Sequence, residues 1–199
     1  MIRNLLLALV IAPMLGLSLP QVASAKDYKI DPAHTSASFK VKHMMVTWVR
    51  GEFEDGVAGT VRFDPDDLSS FHADVSIDVG SIDTRNDKRD THLRSADFFD
   101  AKKNGDMTFV SKEVRNITDG HFQLVGDLTL RGTTREVVLD VEGPVGPVKH
   151  PMGSTVYGFT GTTEINRTDY GLNWNMPLED GGMVVGEEVH IIIDLELKK

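Results

Sequence analysis

The sequence predicts an all-β fold in which eight antiparallel strands close into a barrel, with one or two short helices in the connection 84–103. Three observations lead to this prediction. Apolar and polar residues alternate along separate short runs, turn-forming residues divide these runs, and glycines lie inside several of them. A barrel of this size either fills its interior with its own side chains or encloses one small ligand.

Alternation with a period of two residues identifies the strands. It is clearest at 73–79, 122–130 and 189–197, where apolar groups occupy one face of a strand and polar groups the other. In the first run, Val75 and Ile77 share the apolar face. Less regular alternation marks five more strands, at 35–43, 57–64, 107–114, 134–142 and 156–165.

Turn-forming residues separate these strands, because they accept the positive φ or the tight reversal that a turn requires. They are Asp55-Gly56, Asp119-Gly120, Arg131-Gly132-Thr133 and Asp180-Gly181-Gly182. Gly59, Gly126 and Gly161 lie within strands, where they permit sharp bends and a close approach of neighbouring backbones. Closure of a sheet needs both features, so these glycines favour a barrel over a sandwich.

Two segments interrupt the alternation. The charged segment 84–103 is predicted to form the one or two short helices, with Thr84 and Ser95 as N-caps. The segment 143–154 contains three prolines and three glycines and is predicted to be a loop.

The first 25 residues are predicted to be a cleaved secretory signal. Arg3 precedes an apolar run at 5–19, and Ala23-Ser24-Ala25 provides the small residues that a signal peptidase requires. Residues 26–199 then form a single domain. The chain has no cysteine, which excludes disulfides, thiolate metal sites and a lipid-modified N-terminal cysteine. Export without disulfides predicts a periplasmic location, with cleavage after Ala25.

Charge limits the partners of the mature protein. The full chain has a net charge of −9, and loss of Arg3 with the signal changes it to −10. So acidic a protein lacks the overall basic character that binding to nucleic acid or to an anionic lipid surface favours. After signal cleavage, no other segment is apolar over the roughly 20 residues that stable membrane insertion requires. A small ligand and a second copy of the chain, forming a homodimer, remain as candidate partners.

The apolar face of the strands mixes large and small side chains. The large residues on this face include Phe39, Phe63 and Phe109. The small ones include Ala37 and Gly126. Large residues would close the interior, whereas small ones would leave a tunnel along its length, and both interpretations stay open. A tunnel with such a lining suits a hydrocarbon chain, since each buried CH₂ contributes about 0.8 kcal/mol.

Ordered motifs along the mature chain resemble the YceI-like family. The first are Tyr28-x-Ile30-Asp31-x-x-His34-Thr35, Phe39-x-Val41-x-His43-Met44 and Val49-x-Gly51-x-Phe53. The most specific are Ser81-Ile82-Asp83-Thr84 and Arg89-Asp90-x-His92-Leu93-x-Ser95-x-Asp97-Phe98-Phe99-Asp100. Thr108-Phe109-x-Ser111, Gly126-Asp127-Leu128-Thr129-Leu130 and Asn166-Arg167-x-Asp169-Tyr170-Gly171-Leu172 follow in order.

This resemblance implies a periplasmic, lipocalin-like barrel that binds a polyisoprenoid or an isoprenoid quinone, for transport, storage or stress protection. It implies a bound lipid as the ligand and no catalytic cofactor. The predicted ligand-binding residues are Phe39, Val41, His43, Phe53, Phe63, His92, Phe98, Phe99, Phe109, Leu128, Leu130 and Trp174.

Charged residues of these motifs have two interpretations. They contact a ligand head group, or they form ion pairs that pin loops against the barrel, and the second is preferred because buried charges need partners. The residues concerned are Arg89, Asp90, Arg167 and Asp169. For His43 and His92, neither interpretation is preferred.

The sequence predicts a binding protein rather than an enzyme. Ser111 with His43 or His92 and Asp90 would be a conceivable triad, but Ser111 lies in a strand rather than on a nucleophile elbow. The histidine spacing fits no zinc motif, so no metal is predicted. Two alternatives stay open: a lipid-modifying enzyme that uses the same cavity, and a filled barrel that binds partners through its outer surface.

Overall fold

The computed structural model describes residues 24–54, 57–179 and 181–199. The strands are β1 (Lys26–Ile30), β2 (Ser36–His43), β3 (Thr47–Phe53), β4 (Val57–Asp64), β5 (Asp67–Asp78), β6 (Ile82–Asp83), β7 (Asp106–Thr118), β8 (His121–Leu130), β9 (Thr133–Lys149), β10 (Thr155–Asn166) and β11 (Val185–Lys198). The helix α1 spans Asp87–Arg94, and 3₁₀ turns span Val79–Ser81 and Arg167–Tyr170. Within the described ranges, no helix has the length and apolar character needed to span a bilayer. All but the last two residues of the predicted signal, 1–25, lie outside them.

All the paired strands are antiparallel, and they close a barrel. The order around the barrel is β4, β5, β7, β8, β9, β10, β11 and β1, and β1 pairs back with β4. β2 lies along β11 beyond the end of β1, β3 pairs with β2, and the short β6 pairs with β3. The prediction of an eight-stranded antiparallel barrel with a helix in 84–103 is confirmed.

Glycine is required at two places where neighbouring strands approach closely. Gly126 on β8 lies against the Phe109 ring on β7, and a Cβ at Gly126 would stand 2.4 Å from Cζ of Phe109. Gly59 on β4 has a φ of +138°, and a Cβ there would stand 2.2 Å from the Asp74 carbonyl oxygen. A larger residue at either position would push the strands apart.

Five aromatic side chains close the barrel at the end where β1 meets β4 and β11. We call this group the aromatic plug. Phe63 lies at its centre, with its ring centroid 4.5 Å from Tyr28, 5.3 Å from Tyr157, 5.2 Å from Phe159 and 5.8 Å from Phe71. All five residues are buried, and Phe63 has no exposed surface.

The helix α1 and the segment 95–104 cover the opposite end. The N-cap of α1 is Asn86, whose side chain accepts a hydrogen bond from the Arg89 backbone N–H at 3.0 Å. The predicted N-caps at Thr84 and Ser95 are wrong. The Thr84 hydroxyl binds the Asp90 carboxylate instead, and Ser95 ends the helix by donating from its hydroxyl to the His92 carbonyl at 2.7 Å.

The loop predicted at 143–154 is wrong over most of its length, because β9 continues through this segment to Lys149. Pairing of β9 with β8 stops at Glu142, so beyond that residue one edge of β9 has no strand beside it. Pro144 and Pro147 lie in this part of β9, which pairs with β10 alone and whose pairing shifts register. Proline is tolerated there because its missing N–H interrupts no hydrogen bond to a second neighbouring strand.

Asp31 links the connection between β1 and β2 to the last residues of β11. Its carboxylate lies 2.6 Å from Nδ1 of His34 and forms a salt bridge with Lys198. Hydrogen bonds from His34 and then from Lys198 lower the pKa of Asp31 well below its ordinary value of 3.8. A lowered pKa in the folded state means that the carboxylate contributes stability at neutral pH and that this contribution is lost as the pH falls below about 4.

We therefore expect Asp31→Asn to lower the melting temperature at neutral pH. The difference from the wild type should shrink as the pH falls below about 4, because the wild-type carboxyl then takes up a proton in the unfolded state while the folded state keeps it ionised. Thermal unfolding of both proteins across this range measures the effect. Asp74→Asn, at an exposed position on β5, is the control and should follow the wild type at every pH. A difference for Asp31→Asn that persists at low pH would contradict this account.

Candidate functional site

The barrel encloses a cavity of about 210 Å³ between the aromatic plug and the cap formed by α1. This volume is roughly fourteen to twenty times the space that holds one water molecule. Every strand except β1 and β6 contributes side chains to the lining, and Leu93 of α1 adds one from the cap. One alternative from the sequence required an interior filled by the barrel's own side chains. The cavity shows that the interior is not filled in this way.

Small residues give the cavity part of its width. Ile193 on β11 lies opposite Ala37 on β2 and opposite Gly161 on β10, and all three line the cavity. Two of the three residues in this row reach at most to Cβ, so the wall recedes there. The mixture of large and small inward residues in the sequence thus corresponds to a cavity wall with recesses at the small residues.

The lining is almost wholly hydrocarbon. Its polar side chains are Ser38, Thr163 and Arg167. Both hydroxyls already donate to backbone carbonyls, from Ser38 to Ile192 at 3.3 Å and from Thr163 to Val138 at 2.8 Å. A ligand polar group placed deep in this cavity would lose its hydration without gaining free partners, which is unfavourable. The cavity therefore suits an apolar chain.

Arg167 is a buried cation that is bound by carbonyl oxygens. Nε donates to the Gly186 carbonyl at 2.8 Å, and Nη1 donates to Trp174 at 3.0 Å and also to Leu172. Burial lowers the pKa of Arg167, and the charge of Glu187 opposes this shift. These bonds tie the 3₁₀ turn to the loop after it and to the start of β11. Arg167 does pin a loop, but the ion pair predicted for it is wrong.

Arg89 and Asp90 also act through hydrogen bonds rather than through an ion pair. The Asp90 carboxylate accepts from the Thr84 backbone N–H at 2.9 Å and from the Thr84 hydroxyl. Arg89 donates to the same hydroxyl and to the Thr84 carbonyl, both at 2.7 Å. Thr84 and Asp90 are each 4 % exposed, so this network fixes α1 against the barrel from inside the cap.

Eight of the twelve predicted ligand-binding residues line the cavity: Phe39, Val41, Phe53, Phe98, Phe99, Phe109, Leu128 and Leu130. The structure brings these side chains from five strands or loops around one space. Their contact with a ligand stays a prediction.

The other four predicted residues lie outside the lining. Phe63 is at the centre of the aromatic plug. His43 ends β2, opposite Thr47 and Val185. His92 packs its ring 4.9 Å from Trp174 in the cap and holds the Asp97 carboxylate at 2.9 Å.

Several lining residues were not predicted as ligand contacts. Val189, Ile191, Ile193 and Leu195 of β11 form one inward row of the cavity. The alternation that identifies this strand also identifies its apolar face, so extending that face to the ligand would have found them. Leu93 and Leu172 carry no such signal, because they belong to the irregular cap.

The catalytic arrangement considered from the sequence is not formed. Ser111 lies 3.0 Å from Nδ1 of His72, not from His43 or His92, and its hydroxyl accepts the Ala73 backbone N–H at 2.9 Å. Ser111 thereby completes the sheet at the point where the β7–β8 pairing shifts register. Asp90, the carboxylate of that conceivable triad, is bound to Thr84 instead.

The described residues contain two clusters with the geometry for a metal ion, and neither includes His43 or His92. They are Asp31, His34 and Glu196, and the exposed group Glu52, Glu54 and Asp83. In the first cluster the ammonium group of Lys198 already binds the Asp31 carboxylate.

A model of the YceI-like domain matches residues 28–197. The chain belongs to the YceI-like family. It is 44 % identical over 165 residues to a UPF0312 protein of Staphylococcus epidermidis, covering 81 % of this chain and 91 % of that protein.

Solved structures of relatives have the same barrel. The Campylobacter jejuni YceI protein is 34 % identical, with a TM-score of 0.67, and covers 87 % of this chain and 98 % of its own. A polyisoprenoid-binding domain from Saccharophagus degradans has a TM-score of 0.60, with 85 % of this chain and 97 % of that domain covered. Its identity of 16 % supports the shared fold alone. This YceI-like barrel therefore has both the family's sequence pattern and its architecture.

Proposed function

We propose that this YceI-like protein is exported to the periplasm and holds a polyisoprenoid or an isoprenoid quinone in its cavity. The observation that carries the proposal is the hydrocarbon lining. Its three polar side chains already donate hydrogen bonds to backbone carbonyls. Each methylene group moved from water into this space contributes about 0.8 kcal/mol. A prenyl chain of a few units would bind well even after the entropic cost of ordering it.

Two further considerations support an isoprenoid over other lipids. The S. degradans relative with the same barrel is a polyisoprenoid-binding domain. The lining also mixes aromatic rings with small gaps, such as the one beside Ile193, and a methyl-branched chain fills such a wall more evenly than a straight chain does.

The role that we infer is transport of the lipid, its storage or protection against stress, without chemical turnover. A free isoprenoid does not cross an aqueous periplasm, and an enclosed apolar cavity removes its chain from water. Export depends on the predicted signal at 1–25, and the mature protein would begin at Lys26.

Organic extraction of the protein purified from the periplasm tests the proposal. We expect about one prenyl lipid per chain. The intact mass of the protein should correspond to a chain that begins at Lys26. Recovery of fatty acids alone would contradict the isoprenoid assignment. A protein without any lipid that also takes up no added prenyl quinone would contradict lipid binding as a whole.

A further inference from the structure

Five exposed apolar residues lie together on the surface beside one end of the cavity. They are Met44, Met45, Val46, Met176 and Met183, which are between 42 % and 80 % exposed, and we call them the methionine rim. The first three form the turn between β2 and β3, and the other two lie on the loop before β11. The Met44 backbone N–H donates to the Val184 carbonyl at 2.8 Å, and the Val184 N–H donates to Met176 at 3.0 Å. These bonds hold the turn and the loop side by side.

The methionine rim continues the apolar surface of the cavity. Val41 and Val185 belong to the cavity lining, and they lie at the ends of β2 and β11 nearest to the rim. Val185 pairs with His43, the residue directly before Met44. A hydrocarbon chain leaving the cavity past these two valines would therefore meet methionine side chains before it met water.

The turn keeps its methionines in an unfavourable backbone conformation. Met44 and Met45 have φ angles of +50° and +60°, and the Val46 N–H closes the turn on the His43 carbonyl at 3.1 Å. Asn-Gly is the preferred pair where both central residues have positive φ. Non-glycine residues strained in this way concentrate at functional sites. The turn itself would be better formed without methionine, which points to a role for the exposed side chains.

The hairpin that carries this turn is basic, although the protein has a net charge of −9. Its two strands contain Lys40, Lys42 and Arg50 and one acidic residue, Glu52, which lies at the end away from the turn and opposite Ser38. The ammonium groups of Lys40 and Lys42 lie 4.9 and 4.3 Å from the ring centroid of Trp48, on the outer face of the hairpin. Glu179 on the loop and Glu187 and Glu188, between Val185 and Val189 on β11, lie on the other side of the rim, so the positive charge belongs to the hairpin alone.

We propose that the methionine rim docks on the surface of a bilayer that contains anionic lipids. The rim would enter the boundary between head groups and acyl chains, and the lysines and Arg50 would contact the lipid phosphates. Tryptophan and lysine near an apolar tip are suited to this interface. The inference rests on the proposed function, because a lipid carrier needs a bilayer as its source and an apolar path into its cavity. A protein partner would need no continuity between the rim and the cavity.

Flotation with vesicles of phosphatidylethanolamine and phosphatidylglycerol tests the proposal. We expect the wild type to float with these vesicles and to bind less at high salt, since salt screens the basic hairpin. The variant Met44→Asn/Met45→Gly should bind at least about tenfold more weakly, because it loses two apolar side chains. Its melting temperature should equal or exceed that of the wild type, because Asn-Gly suits the turn. A loss of binding would then not be a loss of folding.

The control is Met152→Gln, at the end of the barrel farthest from the rim, where Met152 is 89 % exposed. It should float like the wild type. Equal flotation of the rim variant and the wild type, or no flotation of the wild type, would overturn the proposal. So would a dimer in solution that the rim substitutions dissociate, because the rim would then bind a second copy. Uptake of a prenyl quinone added from ethanol is measured separately, and only its failure would count against the proposed function.

Discussion

Replacing Ala37 by phenylalanine is expected to reduce the affinity for a prenyl lipid by about a hundredfold while the barrel stays folded. Ala37 lines the cavity beside Ile193 and Gly161, where the wall recedes. A phenyl ring there would occupy space that three or four methylene groups of a ligand would otherwise fill. At about 0.8 kcal/mol for each group, the loss is roughly 2–3 kcal/mol of binding free energy. Overpacking should reduce the stability by less than about 3 kcal/mol, because the ring extends into empty space.

Titration with a prenyl quinone measures this effect, and the chain offers a matched control. Ala58 lies on β4 with its side chain exposed, so Ala58→Phe adds the same ring outside the barrel. We expect it to bind the quinone like the wild type. If both variants bind equally well, the ligand lies somewhere other than in this cavity.

Phe63→Ala is expected to have the largest effect on stability. Phe63 is fully buried and contacts four other aromatic rings of the plug. Removing such a ring from a closely packed group lowers the free energy of unfolding by about 3–5 kcal/mol. Because Phe63 does not line the cavity, the fraction of the variant that is folded should keep its affinity for the ligand.

Urea unfolding and quinone titration together separate this role from a ligand contact. Phe99→Ala is the matched comparison, since Phe99 is half-buried and lines the cavity. We expect it to lose more affinity and less stability than Phe63→Ala does. The opposite result, with affinity lost and stability kept in Phe63→Ala, would return Phe63 to the ligand site that the sequence predicts for it.

The difference between Phe63 and Phe53 illustrates where the sequence stops being informative. Both are phenylalanines on the inward face of a strand. Alternation predicts this for Phe63 on β4, whereas Phe53 on β3 is predicted as a ligand contact only from the resemblance to the YceI-like family. Their depth along the barrel depends on how β3 and β4 pair with β2, β5 and β1. Long-range pairing sets that register. As a result, Phe53 lines the cavity and Phe63 closes the end of the barrel.

The sequence does not predict three of the strands, because their local sequence lacks a clear alternation or is too short to show one. β1 and β3 carry charged residues that break the alternation, such as Arg50 and Glu52 in β3, and β6 has only two residues. The cap was equally obscure. Leu93 and Leu172 reach the cavity from a helix and from a turn, and Arg167 and Asp90 place them there through bonds to backbone atoms. No periodic pattern encodes such contacts.

Native mass spectrometry with an added prenyl quinone tests the central claim most directly, namely that the cavity holds one lipid chain. The account predicts a single mass increment of one quinone on the wild type and on Ala58→Phe, and a strongly reduced increment on Ala37→Phe. No increment on the wild type, or the same increment on all three proteins, would contradict it.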